Sequence, residues 1–320
     1  MARVLITGGT GFIGSHLARK CLVRGDEVTL LVRPNSKLDR VSDIAAQLDI
    51  QRVPLTDQDR LDACLAQTRP EIVFHLGART RFTAKKDLSD LQLGLDENLT
   101  PLVALLSACA RATTSPKAFV RAGTIAEYGP IVSPYRESDK ERPNNAYGLS
   151  MLAGTQFLSG VRSRIPFPVS TARLALTYGP AQSPDFLLPS LIQACLAGDP
   201  ITISRPKDRR DLIHVSDVVS AILRMAEMSD TAPDVVNIGT GNAPTMREVT
   251  LAVVNAMGAS VELSHFKDQR DDDHVELRID PTSQRALLGW SPEIGLEDGI
   301  AMLVDTARQG VSHPTNRRSA

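Results

Sequence analysis

Four glycines near the N-terminus, Gly8, Gly9, Gly11 and Gly14, have the spacing that a phosphate-binding turn requires. Without side chains the backbone can turn tightly and approach a pyrophosphate, which then rests on amide groups at a helix N-terminus. Val4, Leu5 and Ile6 read as a buried strand before the turn, and Phe12, Ile13, Leu17, Cys21 and Leu22 fall at helical spacing after it. A bound dinucleotide is therefore expected on Gly8, Gly9, Thr10, Gly11, Phe12, Ile13 and Gly14. The second strand, 27–32, ends at Val32, where an acid that binds the ribose 2′-hydroxyl usually stands, and Arg33 follows. A planar fork of donors suits a 2′-phosphate, so NADP is expected over NAD. Leu76, Gly77 and Ala78 close the fourth strand with small residues that let the chain pass close to the cofactor's ribose and nicotinamide. His75 just before them reads as a hydrogen-bonded core residue. Leu55 and Asn98 complete the expected cofactor contacts. Arg79, Arg81, Lys85 and Lys86 cluster in a polar stretch, 79–97, which reads as an irregular loop over the site.

Further along stand Gly123-Thr124-Ile125-Ala126-Glu127-Tyr128-Gly129 and then Ala146-Tyr147-Gly148-Leu149-Ser150-Met151. Together with the glycine turn, these resemble the extended short-chain dehydrogenase/reductases, in their nucleotide-sugar branch, from the first turn almost to the C-terminus. The resemblance implies that Thr124 and Tyr147 are catalytic, with Tyr147 also touching the cofactor. A phenol moves a proton to or from the substrate oxygen while hydride moves to or from a nicotinamide, and the hydroxyl beside it orients that oxygen. Met151 stands where the family has the lysine of Tyr-x-x-x-Lys. Residues four apart share a helix face. The lysine would have favoured tyrosinate and touched the ribose, and methionine does neither. Ketone reduction needs a neutral phenol, the dominant form near pH 7, so the loss tilts the reading toward reduction. Another basic group such as Arg81 is a candidate replacement.

The same resemblance places substrate contacts at Thr124, Glu127, Leu188, Arg210 and Arg270. Arg210 opens an Arg-Asp-x-x-His-Val-x-Asp-Val motif, and with Arg270 it is expected to hold a diphosphate; salt bridges to the neighbouring aspartates are the alternative. Ile125 and Ala126 occupy the places where 4,6-dehydratases carry an acidic pair, which counts against dehydration. Leu176 replaces the asparagine of the family's Asn-x-Tyr-Gly-Pro. The reading that results is reduction of a 4-keto-(6-deoxy)sugar carried on a nucleotide diphosphate. A 4-epimerase, a 4,6-dehydratase and a weakly catalytic or non-catalytic NADP-binding protein are the alternatives.

These residues need a scaffold that delivers them to one edge. Strands at 50–53, 71–78, 118–122, 169–176 and 235–241 alternate with helical patterns, predicting an α/β fold. It should be a doubly wound parallel Rossmann sheet over 1–174 with a smaller C-terminal α/β substrate-binding region over 175–320, of which about 212–240 returns to the sheet. The polar tail from His313 is expected to fray. The 320 residues carry a net charge of −1, which gives no hint of nucleic acid or an anionic membrane as partner. The longest apolar runs fall short of a membrane span, and a strand already under way at residue 4 leaves no room for a signal peptide. Cys21, Cys64, Cys109 and Cys195 lack metal-ligand spacing and read as free thiols of a cytoplasmic protein, with no metal expected. By resemblance the chain is expected to be a homodimer, paired through helices near 99–112 and 146–163, where Leu102, Leu105, Leu106 and Leu152 serve either interface or core.

Overall fold

In the computed structural model, which describes residues 1–228, 231 and 233–312, the central feature is a seven-stranded sheet whose neighbours all pair in parallel. Its strands are β1 (Arg3–Thr7), β2 (Glu27–Val32), β3 (Asp49–Arg52), β4 (Ile72–His75), β5 (Ala118–Thr124), β6 (Val169–Leu174) and β7 (Val235–Ile238). Their spatial order is 7-6-5-4-1-2-3. The order reverses between β1 and β4, so chain segments leaving those two strands diverge and open a crevice beyond their carboxyl ends. The polar tail from His313 lies outside the described residues.

Ten helices among the described residues wrap and extend this sheet. They are α1 (Phe12–Val23), α2 (Gln58–Thr68), α3 (Ser89–Gly94), α4 (Thr100–Arg111), α5 (Ala146–Val161), α6 (Leu187–Ala197), α7 (Val215–Glu227), α8 (Met246–Met257), α9 (Thr282–Leu288) and α10 (Leu296–Ser312). Side chains of a strand alternate between faces, and β1 shows the result. Val4 and Ile6 join Leu17 of α1 and Val218 and Ile222 of α7. Leu5 turns the other way, to Leu61 of α2, Leu102 and Leu105 of α4 and Leu158 of α5. A third apolar cluster, built from α6, α8 and α10, forms the C-terminal lobe.

Two expectations from sequence need correction. The stretch 79–97 is not wholly irregular: α3 runs into a π-helical turn, Leu95–Leu99, and then into α4. Polar residues there hid the helix because Leu91 and Leu93 are the apolar side chains of α3, with Leu95 following in the π-turn. The run 169–176 is also not one strand. It breaks at Ala175, and Leu176–Tyr178 pairs instead with Leu212–His214 in a separate two-stranded sheet. An apolar run records burial and carries no information about which partner it pairs with.

The buried histidines have a measurable consequence. His75 is buried beside Thr7, whose hydroxyl lies 2.9 Å from Nδ1, and burial with the nearby Arg121 charge holds its pKa down to about 3. His214 caps α7 and is held down to about 4 by burial, with His16 adding to the shift. Both are neutral when folded, whereas an unfolded histidine takes up a proton near pH 6.5. Their contribution is complete above pH 6.5 and is lost as pH falls toward the folded values. Between pH 6.5 and 5 each should cost about 2 kcal/mol of unfolding free energy. Urea unfolding across that window should show the loss, and His75→Asn should remove about half of the dependence; an unchanged slope would exclude it.

Candidate active site

The crevice at the β1–β4 reversal is a cavity of about 470 Å³. Gly8, Thr10, Gly11, Arg33, Leu55, Leu76, Gly77 and Ala78 line it, with Arg79, Asp96, Glu97 and Pro101 on the opposite wall. Gly8 has φ +70°, and a Cβ there would stand 2.6 Å from the Gly77 nitrogen, so the two turns can touch only through glycine. A Cβ on Gly9 would strike the Leu30 side chain at 2.5 Å, and one on Gly14 would overlap the Gly8 carbonyl oxygen. These two glycines therefore seat α1 against the sheet. Gly11 caps α1 without a side-chain bond, and no acid stands in the first turn, so the amides beyond it face a ready anion position. The cradle fits a dinucleotide pyrophosphate.

Asn98 lies beneath this cavity. It is buried within the π-turn, its Oδ1 accepting from the Arg79 amide at 2.7 Å and its Nδ2 donating to the Arg79 carbonyl and to Ser150 Oγ. It positions the cavity wall and reaches α5 through Ser150. Arg33 is exposed and bonds Glu97 at 3.3 Å across the mouth. The side chain expected to meet a 2′-phosphate therefore already has an anionic partner.

Thr124 and Tyr147 meet at the carboxyl edge of the sheet. β5 ends at Thr124, and α5 begins at Ala146 with Asn145 accepting from the Gly148 amide, which puts Tyr147 in the first helical turn. Gly148 permits the approach, because a Cβ there would stand 2.5 Å from the Ala126 carbonyl oxygen. The Thr124 hydroxyl accepts from the Ala126 amide at 3.2 Å and stands close enough to the Tyr147 phenol to favour its ionised form. Burial raises the phenol's pKa above its ordinary value. The Thr124 hydroxyl and the Arg121 charge oppose the rise, and the Glu127 charge adds to it. A neutral phenol is the form the site favours.

Beneath this pair lies a network of buried charges. Glu127 is fully buried. Its Oε1 accepts from the Thr124 amide at 3.1 Å, and its Oε2 accepts from Thr155 Oγ1 and from Arg173 Nε, each at 2.8 Å. Arg173 also bonds Glu141 at 2.5 Å and lies over the Tyr128 ring at 4.7 Å. Arg121 donates to Thr155 Oγ1 at 2.9 Å and to the Met151 carbonyl at 2.8 Å, and sits 3.6 Å from the Met151 sulfur. Glu127, expected to touch substrate, has no exposed surface to offer one. Thr124-x-x-Glu127 is a capping box closing the turn Ile125–Glu127. That signature was present in the sequence, as were Arg121 and Arg173, two cations interrupting apolar strands, where a charge is seldom buried without partners.

The remaining expectations divide. Leu188 is 2% exposed within the C-terminal core, so it is a packing residue; the more exposed Phe186 caps α6 at that point. Arg210 is turned inward, donating to Asp208 at 2.8 Å and to the Arg209 and Val275 carbonyls. Arg270 is exposed at the start of the turn Asp271–Asp273. Neighbouring Arg205 and Lys207 bond Asp273 and Asp271, the intramolecular pairing that the sequence left open. Arg81, the suggested stand-in for the lysine, bonds Asp185 at 2.7 Å and lies over the Phe186 ring at 5.0 Å.

The sequence profile of the NAD dependent epimerase/dehydratase family matches residues 4–239. The chain belongs to that family. The UDP-glucose 4-epimerase of Mycolicibacterium smegmatis is 30% identical over 96% of this chain and 98% of its own. The dTDP-6-deoxy-L-talose 4-dehydrogenase (NAD(P)(+)) of Kitasatospora kifunensis is 29% identical over 94% of each. The structure of the Thermus thermophilus UDP-glucose 4-epimerase in complex with NAD matches with a TM-score of 0.80 at 28% identity, covering 96% of this chain and 99% of that one. This is a family of NAD-dependent nucleotide-sugar epimerases and dehydratases; in this chain the residue one helical turn after Tyr147 is Met151.

The buried role of Glu127 can be separated from substrate contact. Glu127→Gln leaves Arg121 and Arg173 without their central anion and should lower the unfolding free energy by about 3 kcal/mol or more. A substrate-binding carboxylate would instead raise KM with thermal stability unchanged, so calorimetry and kinetics on one variant decide.

Proposed function

We propose that the protein is an NADPH-dependent reductase of the 4-keto group of a (6-deoxy)sugar carried on a nucleotide diphosphate. The observation that carries this reading is a Tyr147 phenol with its pKa raised by burial, close to Thr124, with methionine and not lysine one turn on. Such a phenol is suited to give a proton and poorly suited to take one. The cofactor, held by the Gly8–Gly14 turn and the Leu76-Gly77-Ala78 wall, supplies hydride chemistry. Thr124, fixed by its capping box, donates to the substrate oxygen and orients it. Tyr147 gives that oxygen its proton. The Kitasatospora relative, named for redox at carbon 4 of a dTDP-sugar, supports this reading.

The epimerase names among the relatives support a second reading, epimerisation at carbon 4. An epimerase regenerates its cofactor each turn, so net consumption separates the two. With NDP-4-keto-6-deoxyhexoses, stoichiometric loss of NADPH absorbance is expected, and Tyr147→Phe should lower kcat at least about a hundredfold. Interconversion of NDP-hexoses without net NADPH loss would select the epimerase. Binding with no turnover by any variant would select a non-catalytic protein.

NADP over NAD rests on Arg33 and on the missing acid after β2. A 2′-phosphate would compete with Glu97 for the guanidinium. Arg33→Ala should weaken NADPH binding about tenfold and leave NADH binding unchanged. Equal loss for both cofactors in calorimetric titration would make Arg33 a partner of Glu97 alone.

A substrate diphosphate would likewise compete with Asp208 for Arg210, while Arg270 remains its proposed second contact. A homodimer is proposed through the outer faces of α4 and α5. Leu102, Leu105 and Leu106 are spent on the core, but Leu149 and Phe157 are exposed. The unpaired thiols suit the cytoplasm.

A further inference from the structure

Tyr147, Met151 and Thr155 fall at intervals of four on α5 and share its sheet-facing side. Arg121 rises from β5 to meet that side. It is 2% exposed, and its two terminal nitrogens are bonded to Thr155 and to the carbonyl of Met151, which lies one helical turn along α5 from Tyr147. Gly154 makes the room: a Cβ there would stand 2.7 Å from Arg121 Nη2 and 2.8 Å from Cζ. Met151 packs its sulfur against the same guanidinium. A lysine at 151 would bring a second ammonium against this buried cation, so methionine at 151, glycine at 154 and arginine at 121 form one interdependent arrangement.

We propose that Arg121 replaces the family's lysine as a fixed positive charge that stabilises the phenolate left on Tyr147 after proton transfer, acting from beneath the helix without touching cofactor or substrate. The proposal rests on Tyr147 being the proton donor. A bound reduced nicotinamide would supply hydride to the carbonyl carbon; the part played by Tyr147 is that its phenol O–H bond breaks and the proton passes to the substrate oxygen. The electron pair stays on the tyrosine oxygen, and solvent later returns a proton. That phenolate forms in a desolvated position, where burial and Glu127 both oppose it. The charged groups that act on it are Glu127 from the turn and Arg121 from β5, and next to these stand His75 from β4 and Arg173 from β6 with Glu141 behind it. His75 stays neutral and Glu127 works against the phenolate; Arg173 bonds both glutamates directly, whereas Arg121 meets Glu127 only through Thr155, so Arg121 is the less neutralised of the two cations. Its pKa is lowered by burial, while Glu127 and Tyr147 hold it up. Arg121 is thus a positioning residue for charge. The lysine's two roles separate here, because a guanidinium bonded to α5 does not provide the ribose contact.

The test places 2,3,5-trifluorotyrosine at position 147, a more acidic phenol whose ¹⁹F shift reports ionisation while the protein stays native. Arg121→Gln should raise the ionisation pH by about one unit, Arg121→Lys should leave it within a few tenths, and NADP affinity should change less than twofold in both. An unchanged titration in Arg121→Gln, or an equal shift in Arg121→Lys, overturns the proposal. If Arg121→Gln does not fold, Arg121→Gln/Glu141→Gln keeps the buried network neutral and is compared with Glu141→Gln alone under the same criteria. A phenol that responds to Arg121 in a protein that reduces no keto-sugar would defeat the functional reading and leave the electrostatic one standing.

Discussion

The Glu127 carboxylate is the point on which the rest of the site depends. Each buried charge around it is tolerable only while its partners are in place, because removing one partner leaves an unsolvated charge in a medium of low dielectric. Glu127 therefore fixes four things at once: the Thr124 amide, the Thr155 hydroxyl on α5, the Arg173 guanidinium on β6 and, through Thr155, Arg121 on β5. The end of β5 and the middle of α5 cannot shift relative to each other without breaking this set. That rigidity places the Thr124 hydroxyl against the Tyr147 phenol. A polar network of this kind is weak evidence for added stability and better evidence for one defined geometry.

The cofactor half is built on a different constraint. There, close approach of backbone to backbone decides the shape. Gly8 must pass Gly77, Gly14 must pass Gly8, and α1 must point its uncapped first turn at the crevice. The two halves are joined by Asn98, which bonds the Arg79 backbone on one side and Ser150 of α5 on the other. The π-turn that carries Asn98 widens the helix at that point, the kind of local irregularity often found beside functional sites. The site is thus one mechanical unit, although its parts come from positions 8, 77, 98, 124 and 147.

The cationic pairings in the C-terminal lobe follow from charge density. Arg205, Lys207 and Arg210 face Asp208, Asp271 and Asp273, and each cation has an acid within bonding distance. A diphosphate entering here would compete with existing ion pairs, half-exposed ones in the case of Arg205 and Lys207. The half-exposed pairs are worth little individually, whereas the largely buried Arg210–Asp208 pair costs more to break.

The alternation of apolar strands with helical patterns and the glycine turn were enough to establish a parallel α/β sheet with a dinucleotide cradle, because burial period and the absence of a Cβ are local properties. The Thr124-x-x-Glu127 capping box and the two arginines inside apolar strands were also legible, the first as a local helix-start motif and the second as a local departure from apolar composition. The neighbours of Leu188 and the Thr155 and Arg173 partners of Glu127 could not be read, because they come from elements distant in the chain, while for Arg210 the nearby Asp208 and a diphosphate stood as alternatives. Nor could the replacement for the missing lysine be located. Arg81 was the basic group the sequence offered, whereas Arg121, on the strand beneath the tyrosine helix, is the cation that bonds that helix in the fold. The sequence by itself determined which chemical groups are available and where the backbone must turn. Only the tertiary structure decided which charges are buried together, because desolvation and pairing depend on what the fold packs around each group.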